Sequence, residues 1–394
     1  MKIKNPPALI LGSGGNGLGI ARSLGKRGVY TIIITENNNN WDCKSRYINE
    51  AFLFTGSEEE LIEMLLVNKD LQKNNPVLFP VRDATVNAIA SRYDEIKNYY
   101  KILLPPADVI ISSLCKTGFQ KIAMGNNFLV PKTFSIKNEE ELAEIADNIS
   151  FPCILKPELR NHEFIKNGTQ KAFIPQNRKS LLDSYRLFSK ASPMAVVQEY
   201  VQGGDDNLYF CFQYYDNKGN LAASITGKKI RQWPLKCGST CSCRVVKCPE
   251  VEKLSEQFFK TINYIGPCSM EFKKDSVTGK YYYIEPTIGR LDWNNSFAEG
   301  NGIPLAYITY IDAIGEKIPK FKKKFFNRKW IRWKADYKAA MEQINAGELD
   351  YLKWIKSITP PIVNPFWSIT DPLPVISSYS GRLKNKIKKI LKQN

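Results

Sequence analysis

The sequence predicts a mixed α/β and α+β chain of more than one domain, on three observations. Residues 8–36 alternate strand, glycine turn, helix and strand, the repeating unit of an open parallel sheet. Residues 208–233 and 268–288 run as apolar segments joined by short turns, the pattern of antiparallel sheet. At 394 residues the chain is too long for one ordinary core.

The elements follow in order. ALIL is an apolar strand that ends in glycines. IARSLGKRG reads as a helix stopped by Gly28, and VYTIIITE as a buried β-branched strand ending at Glu36. Gly12, Gly14 and Gly17 fit the dinucleotide fingerprint GxGxxG, with Glu36 where a ribose-binding acid would stand. A tight β–α turn wants glycine with or without a cofactor, so the motif alone is weak. A helix over 57–68, a strand over Pro76–Val81, a helix over Thr85–Asn98 and a strand over Lys101–Pro105 complete an open α/β domain of residues 1–112.

A second domain is expected over 113–318. It begins with a helix over Leu114–Asn126 carrying Lys116 and Lys121, then an extended PKTFSI and a helix over 138–149. FPCILKPE is a buried strand bearing Lys156, a costly position unless the lysine snorkels to the rim or an anion neutralises it. A polar loop over 158–170 holds the single histidine, His162, and Lys171 starts the return strand. A helix over 178–190 precedes MAVVQEYVQGGDD, a strand running into a turn and two acids. LYFCFQYY and LAASITGKKIRQW pair across Asp216-Asn217-Lys218-Gly219, and a helix covers 250–263.

CSMEFKKDSVTGKYYYIEPTIGR then forms a hairpin with its turn at Asp275, Ser276 and Gly279. Side-chain alternation lets Glu271 and Glu285 face away from their apolar neighbours. Two carboxylates brought together repel unless neutralised, and Mg²⁺ shared with substrate phosphates is the usual solution. Arg290 adds a planar fork suited to phosphate. The plain alternative is a surface hairpin with two solvated glutamates.

Composition narrows the classes. No run of about 18 uncharged apolar residues is present, so no membrane-spanning helix is expected. The start does not read as a signal peptide, and a cytoplasmic location is expected. Nine cysteines lack an even framework. Cys237, Cys241, Cys243 and Cys248 cluster, yet CxxxCxC is not a common zinc spacing, so thiols in strands or loops are expected.

The net charge is +17 and uneven. Residues 317–334 hold nine basic residues and no acid, and residues 382–394 hold six. Such charge attracts nucleic acid, anionic lipid or anionic polymers. Five prolines between 360 and 374 predict irregular structure, and residues 319–394 read as a basic C-terminal extension. Leu383, Ile387, Ile390 and Leu391 share one helical face among lysines. A solvated terminal helix and peripheral docking of residues 380–394 on an anionic membrane both fit that pattern.

FPCILKP, VVQEYVQGGDD, SMEFK and YYYIEPTIGR, in this order and spacing, resemble the ATP-grasp superfamily of carboxylate–amine ligases over about residues 1 to 315. The resemblance implies a Rossmann-like N-terminal domain followed by a two-lobed domain that clamps ATP. It implies Lys116, with Lys121 as the competing choice, and Lys156 as phosphate-binding lysines. Gln198, Glu199, Tyr200 and Val201 correspond to the adenine hinge, and Asp206 or Asp205 to the ribose-binding acid. Arg231 and Arg290 correspond to the basic residues at the reacting phosphate, and Glu271 and Glu285 to the metal carboxylates. Thr287 stands where the superfamily commonly has asparagine as a third metal ligand, which leaves open one or two Mg²⁺ or Mn²⁺ ions.

Some superfamily members found with bacterial surface-polysaccharide machinery share the EPTxGR form, and polysaccharide biosynthesis is expected on that resemblance. The implied reaction joins a small-molecule carboxylate to an amine through an acyl phosphate, with ATP converted to ADP and phosphate. Two alternatives stand beside it. One is an NAD(P)-linked oxidoreductase built on the N-terminal glycines. The other is a basic nucleic-acid-binding protein, although no nucleic-acid-binding motif accompanies the charge and no nucleic-acid partner is expected.

Overall fold

A computed structural model describes residues 5–37, 40–158, 172–190, 194–321 and 326–378. The apolar run at the start forms a parallel sheet of β1 (Ala8–Leu11), β2 (Thr31–Thr35), β3 (Glu50–Leu53) and β4 (Val77–Pro80), in the order β3-β2-β1-β4. β1, β2 and β4 are buried along their whole length, as strands covered on both faces must be. The helix Gly14–Gly25 makes the first crossover, and Glu58–Val67 follows β3 behind a capping box between Ser57 and Glu60.

A small antiparallel sheet comes next, with β5 (Thr133–Ile136), β6 (Cys153–Pro157) and β7 (Ala195–Glu199) in the order β5-β7-β6. The helices Glu139–Ala146 and Arg178–Phe188 cover it. Leu142, Leu155, Leu181 and Val197 belong to an apolar core of its own.

The third sheet has seven strands. They are β8 (Leu208–Tyr215), β9 (Leu221–Trp233), β10 (Ser239–Val245), β11 (Gly266–Lys274), β12 (Tyr281–Ile288), β13 (Lys329–Ile331) and β14 (Ile362–Val363). Their order is β12-β11-β8-β9-β10-β13-β14. This sheet shares its interior with the first one. Leu9, Ile89 and Tyr100 join Met270, Phe272 and Tyr283 in one core, and Ile20 and Phe79 join Phe212, Phe297 and Trp330 in another. The molecule therefore has a large body and a small lobe, and β6, β7, β9, β11 and β12 face a cavity between them.

Several elements depart from expectation. Residues 107–114, ADVIISSL, form a helix that the β-branched content concealed. The expected strand at 101–105 is reduced to a bridge between Lys101 and Val77. Thr85–Asn98 is broken into Asp83–Ser91 and Tyr93–Ile96. Cys241 and Cys243 lie inside β10, where burial pushes the Cys241 thiol up to about 12. Among the described residues no group of three or more His, Cys, Asp or Glu side chains is placed to hold a metal ion.

The largest correction concerns the C-terminal part. Residues 326–378 are not an appended basic extension. β13 pairs with β10, β14 pairs with β13, and the helix Trp333–Asn345 lies against β9. Asp371 is 1% exposed and ties this segment back to the first sheet. Its carboxylate accepts from Arg22 Nε at 2.8 Å, Ser45 Oγ at 2.7 Å and the Arg46 amide at 3.0 Å. His162, the 158–170 loop from 159 onward and the 380–394 tail lie outside the described residues. Among the described residues no helix is long and apolar enough to cross a membrane.

Candidate active site

The hairpin of β11 and β12 builds one wall of the cavity. Asp275 fixes its turn by accepting from the amides of Val277 at 2.9 Å and Thr278 at 2.7 Å, and Gly279 takes φ +72°. Glu271 stands directly opposite Glu285, and Ser269 opposite Thr287. Opposed residues of an antiparallel pair share a face, so four oxygen-bearing side chains point into one space. A bulge at Ile284 breaks the alternation of β12. It lets Tyr281 and Tyr283 stay in the core while Ile284, Glu285 and Thr287 all line the cavity.

Like charges directly opposite each other are destabilising. The cation that relieves them is Lys229, on β9. It is 4% exposed, and its Nζ lies 2.8 Å from Glu271 Oε2. Lys273, two residues after Glu271 on the same face, donates to the carbonyls of Gly203 at 2.7 Å and Gly204 at 2.5 Å. Burial pulls its ammonium below the usual lysine range. Arg290 Nε donates to Asp83 Oδ1 at 2.6 Å. Asp292 accepts from Ser269 Oγ at 3.2 Å and the Trp293 amide at 2.6 Å. Burial pushes its carboxyl up, opposed by the Arg290 charge.

The small lobe supplies the facing wall. Lys156 on β6 and Gln198 on β7 are adjacent, with Nζ 3.2 Å from Gln198 Oε1. Lys116 opens the helix Lys116–Gly125, and its Nζ donates to the Glu158 carbonyl at 2.6 Å. Glu199, Tyr200 and Val201 run off the end of β7 along the same space. Glu199 is fixed to the Lys132 backbone through its amide at 2.9 Å and its Oε2 at 3.1 Å. These residues, with Glu271, Glu285, Thr287 and Arg290, surround a cavity of about 270 Å³.

Two expected residues lie elsewhere, and a third is set aside. Arg231 is 3% exposed and points to the other face of β9, where Nε and Nη2 grip Asp336 at 2.8 and 3.0 Å. The cause is irregular pairing of β9 with β10, which leaves Ile230 unopposed between Lys229 and Arg231. The bulge turns Lys229 and Gln232 into the cavity and Arg231 out of it. Asp206 is also displaced. Its carboxylate is 66% exposed and 3.6 Å from Lys228 Nζ, while Asp205 braces Gln232 Nε2 at 2.8 Å. Burial pushes the Asp205 carboxyl up. Lys121 is exposed on the helix and does not line the cavity.

Lys228, Lys229 and Arg231 read from the sequence as one basic strand beside the site, with Arg231 as the cation at the phosphate; Gln232, Lys273 and Asp292 carry no such expectation. The Ser269–Glu271–Lys273 alternation held a signal for Lys273. Nothing in the sequence marks the bulge that turns Lys229, rather than Arg231, into the cavity.

The glycine turn is filled by the protein itself. A Cβ at Gly17 would collide with the Gly12 carbonyl, and one at Gly12 with the Val81 side chain. Asp42, 1% exposed, accepts from the Gly14 amide at the helix start, where a pyrophosphate would bind. Phe366 packs over Gly15, and Glu36 pairs with Arg82 at 3.3 Å. The glycines serve close packing, and an internal carboxylate takes the anion's place, which removes the basis for the oxidoreductase reading.

No family model matches the chain. The carbamoyl phosphate synthase large chain of Saccharolobus islandicus is 22% identical over 314 residues, covering 75% of this chain and 28% of that protein. The chain thus spans little more than a quarter of that relative's length. Among solved structures, an ADP complex of N5-carboxyaminoimidazole ribonucleotide synthetase superposes with a TM-score of 0.66 at 11% identity, covering 88% of this chain and 87% of that one. The biotin carboxylase domain of Hydrogenobacter thermophilus 2-oxoglutarate carboxylase, solved with MgADP and bicarbonate, gives 0.62 at 17% identity over 81% and 72%. The chain has the ATP-grasp fold.

Proposed function

We propose that this ATP-grasp chain is an ATP-dependent ligase that activates a carboxylate and passes it to an amine. The observation that carries the reading is the register of Glu271 against Glu285, with Lys156 on the facing lobe and Lys116 lining the same cavity. Two carboxylates, two neighbouring hydroxyls and facing lysines form a donor set suited to a magnesium triphosphate. Mg²⁺ takes few protein carboxylates and fills its octahedron with phosphate oxygens and water, so the pair suffices without a closed cage. Glu271 and Glu285 would hold the ion, with Thr287 beside them, and the ion would neutralise charge developing on the transferred phosphoryl group. The relative solved with MgADP and bicarbonate supports the nucleotide and the metal.

Lys156 and Lys116 would orient the phosphates, and Gln198 to Val201 would receive the base along the free end of β7. Lys229 would take the place expected of Arg231 and stand with Arg290 as a cation beside the reacting phosphate, since both line the cavity. Positioning and charge neutralisation account for this chemistry, and no side-chain nucleophile is needed. An acyl phosphate attacked by an amine is the two-step route that fits. The names of the relatives concern carbamoyl phosphate, N5-carboxyaminoimidazole ribonucleotide and 2-oxoglutarate carboxylation, so the polysaccharide reading rests on the EPTxGR form alone.

The test is Glu285→Gln. Glu285 is exposed to the cavity, so the fold should survive. ATP turnover should fall on the order of 10²–10³-fold. Normal ADP release from a folded Glu285→Gln protein would overturn the reading.

A further inference from the structure

Trp41, Trp233, Trp333, Phe366 and Trp367 line a second cavity, of about 540 Å³. Four of the chain's seven tryptophans are gathered there. It shares no lining residue with the first cavity, yet the two are separated by little. Trp293 lines the first, Arg332 lines the second, and the Arg332 guanidinium lies 5.0 Å from the Trp293 ring centre.

The charge of this second space is one-sided. Arg332, Lys334 and Lys338 line it, and among the described residues no acid does. Arg332 is anchored by its amide, which donates to the Cys241 carbonyl at 2.8 Å, while its side-chain Nε is buried without a hydrogen-bond partner. Asp336, on the same helix, is committed to Arg231. Lys338 Nζ lies 5.7 Å from the Trp233 ring centre. Tryptophan faces meet flat rings, and a guanidinium meets phosphate.

We propose that this cavity binds a ring-bearing phosphate of the nucleoside mono- or diphosphate type, with the ring stacked on tryptophan and the phosphate on Arg332 and the two lysines. A cavity of this size holds a ligand of that class. Binding depends only on residues of the second cavity. A role for this ligand as the partner in bond formation rests on the ligase reading above.

The full-length protein, saturated with Mg·ADP, is titrated with uridine diphosphate and followed by tryptophan fluorescence and calorimetry. Saturable quenching is expected. Uridine, which lacks phosphate, and pyrophosphate, which lacks a ring, should each bind at least about tenfold more weakly. Arg332→Gln and Trp367→Ala should each weaken uridine diphosphate about tenfold or more while Mg·ADP binding is unchanged. Trp367 is 49% exposed, so its variant carries the test if Arg332→Gln does not fold. No saturable binding, pyrophosphate binding as tightly as uridine diphosphate, or unchanged affinity in the folded variants would each overturn the proposal. Mg·ADP binding is measured separately, so failure of either reading is visible without the other.

Discussion

Removing the partners of the Lys229–Glu271 pair one at a time should give unequal losses. Lys229 is 4% exposed, whereas the Glu271 side chain is 33% exposed. In Glu271→Gln the ammonium stays buried, with Gln232 Oε1 beside it at 3.5 Å. Breaking a buried pair costs about 3–5 kcal/mol, and partial exposure of Glu271 lowers this to about 2–4 kcal/mol. In Lys229→Met the carboxylate left behind can rehydrate, so the loss should be about 1 kcal/mol. The double variant should recover part of the Glu271→Gln loss, with a coupling of about 1–3 kcal/mol. Urea denaturation at pH 7 without nucleotide reads all four species, with equal m-values required for the comparison. A Glu271→Gln loss no greater than that of Lys229→Met would refute the reading of the pair as a buried ammonium held by a partly solvated carboxylate. Both single variants should also lower ATP turnover on the order of 10²–10³-fold.

Asp292→Asn should stabilise the protein at neutral pH while lowering activity. Burial holds the Asp292 carboxyl above its unfolded value, so the folded state binds more protons over the window just above about pH 3.9. Wild-type stability is therefore lost through this group as pH rises across that window, and the asparagine variant escapes the loss. The melting-temperature gap between variant and wild type should widen from pH 4 to pH 7, and a gap that narrows would count against it. Asp371→Ala strands the buried Arg22 guanidinium, whose side chain is 8% exposed, and should cost about 3–5 kcal/mol in denaturant unfolding. A loss under about 1 kcal/mol would show that the clasp between residues 371 and 22 contributes little.

What could be read from the sequence was local and periodic. The hairpin glutamates, Lys156 on its strand and the QEYV segment were visible because alternation and turn residues are written within a few positions. Arg231 was misplaced because one unopposed residue, Ile230, reverses the period of two, and nothing in GKKIRQW marks it. Asp206 was preferred over Asp205 although both sit in one short 3-10 turn, where a single step of rotation decides which carboxylate turns inward. The same bulge decides that Lys229, and not Arg231, is the cation of that basic strand that meets the cavity. The place of residues 329–378 depends on pairing with β10 and on Arg22, Ser45 and Arg231, partners remote in the chain. Charge and proline content describe such a segment without locating it.

The clasp has a practical bearing on where this polypeptide can be cut. Similarity to known motifs fades near residue 315, an inviting terminus for a truncated gene product. Ending there would strip two guanidiniums, on Arg22 and Arg231, of their partners Asp371 and Asp336 and bare the outer edge of β10. A shortened product should then be insoluble through strand-edge association, a failure of tailoring that says nothing about chemistry at the hairpin.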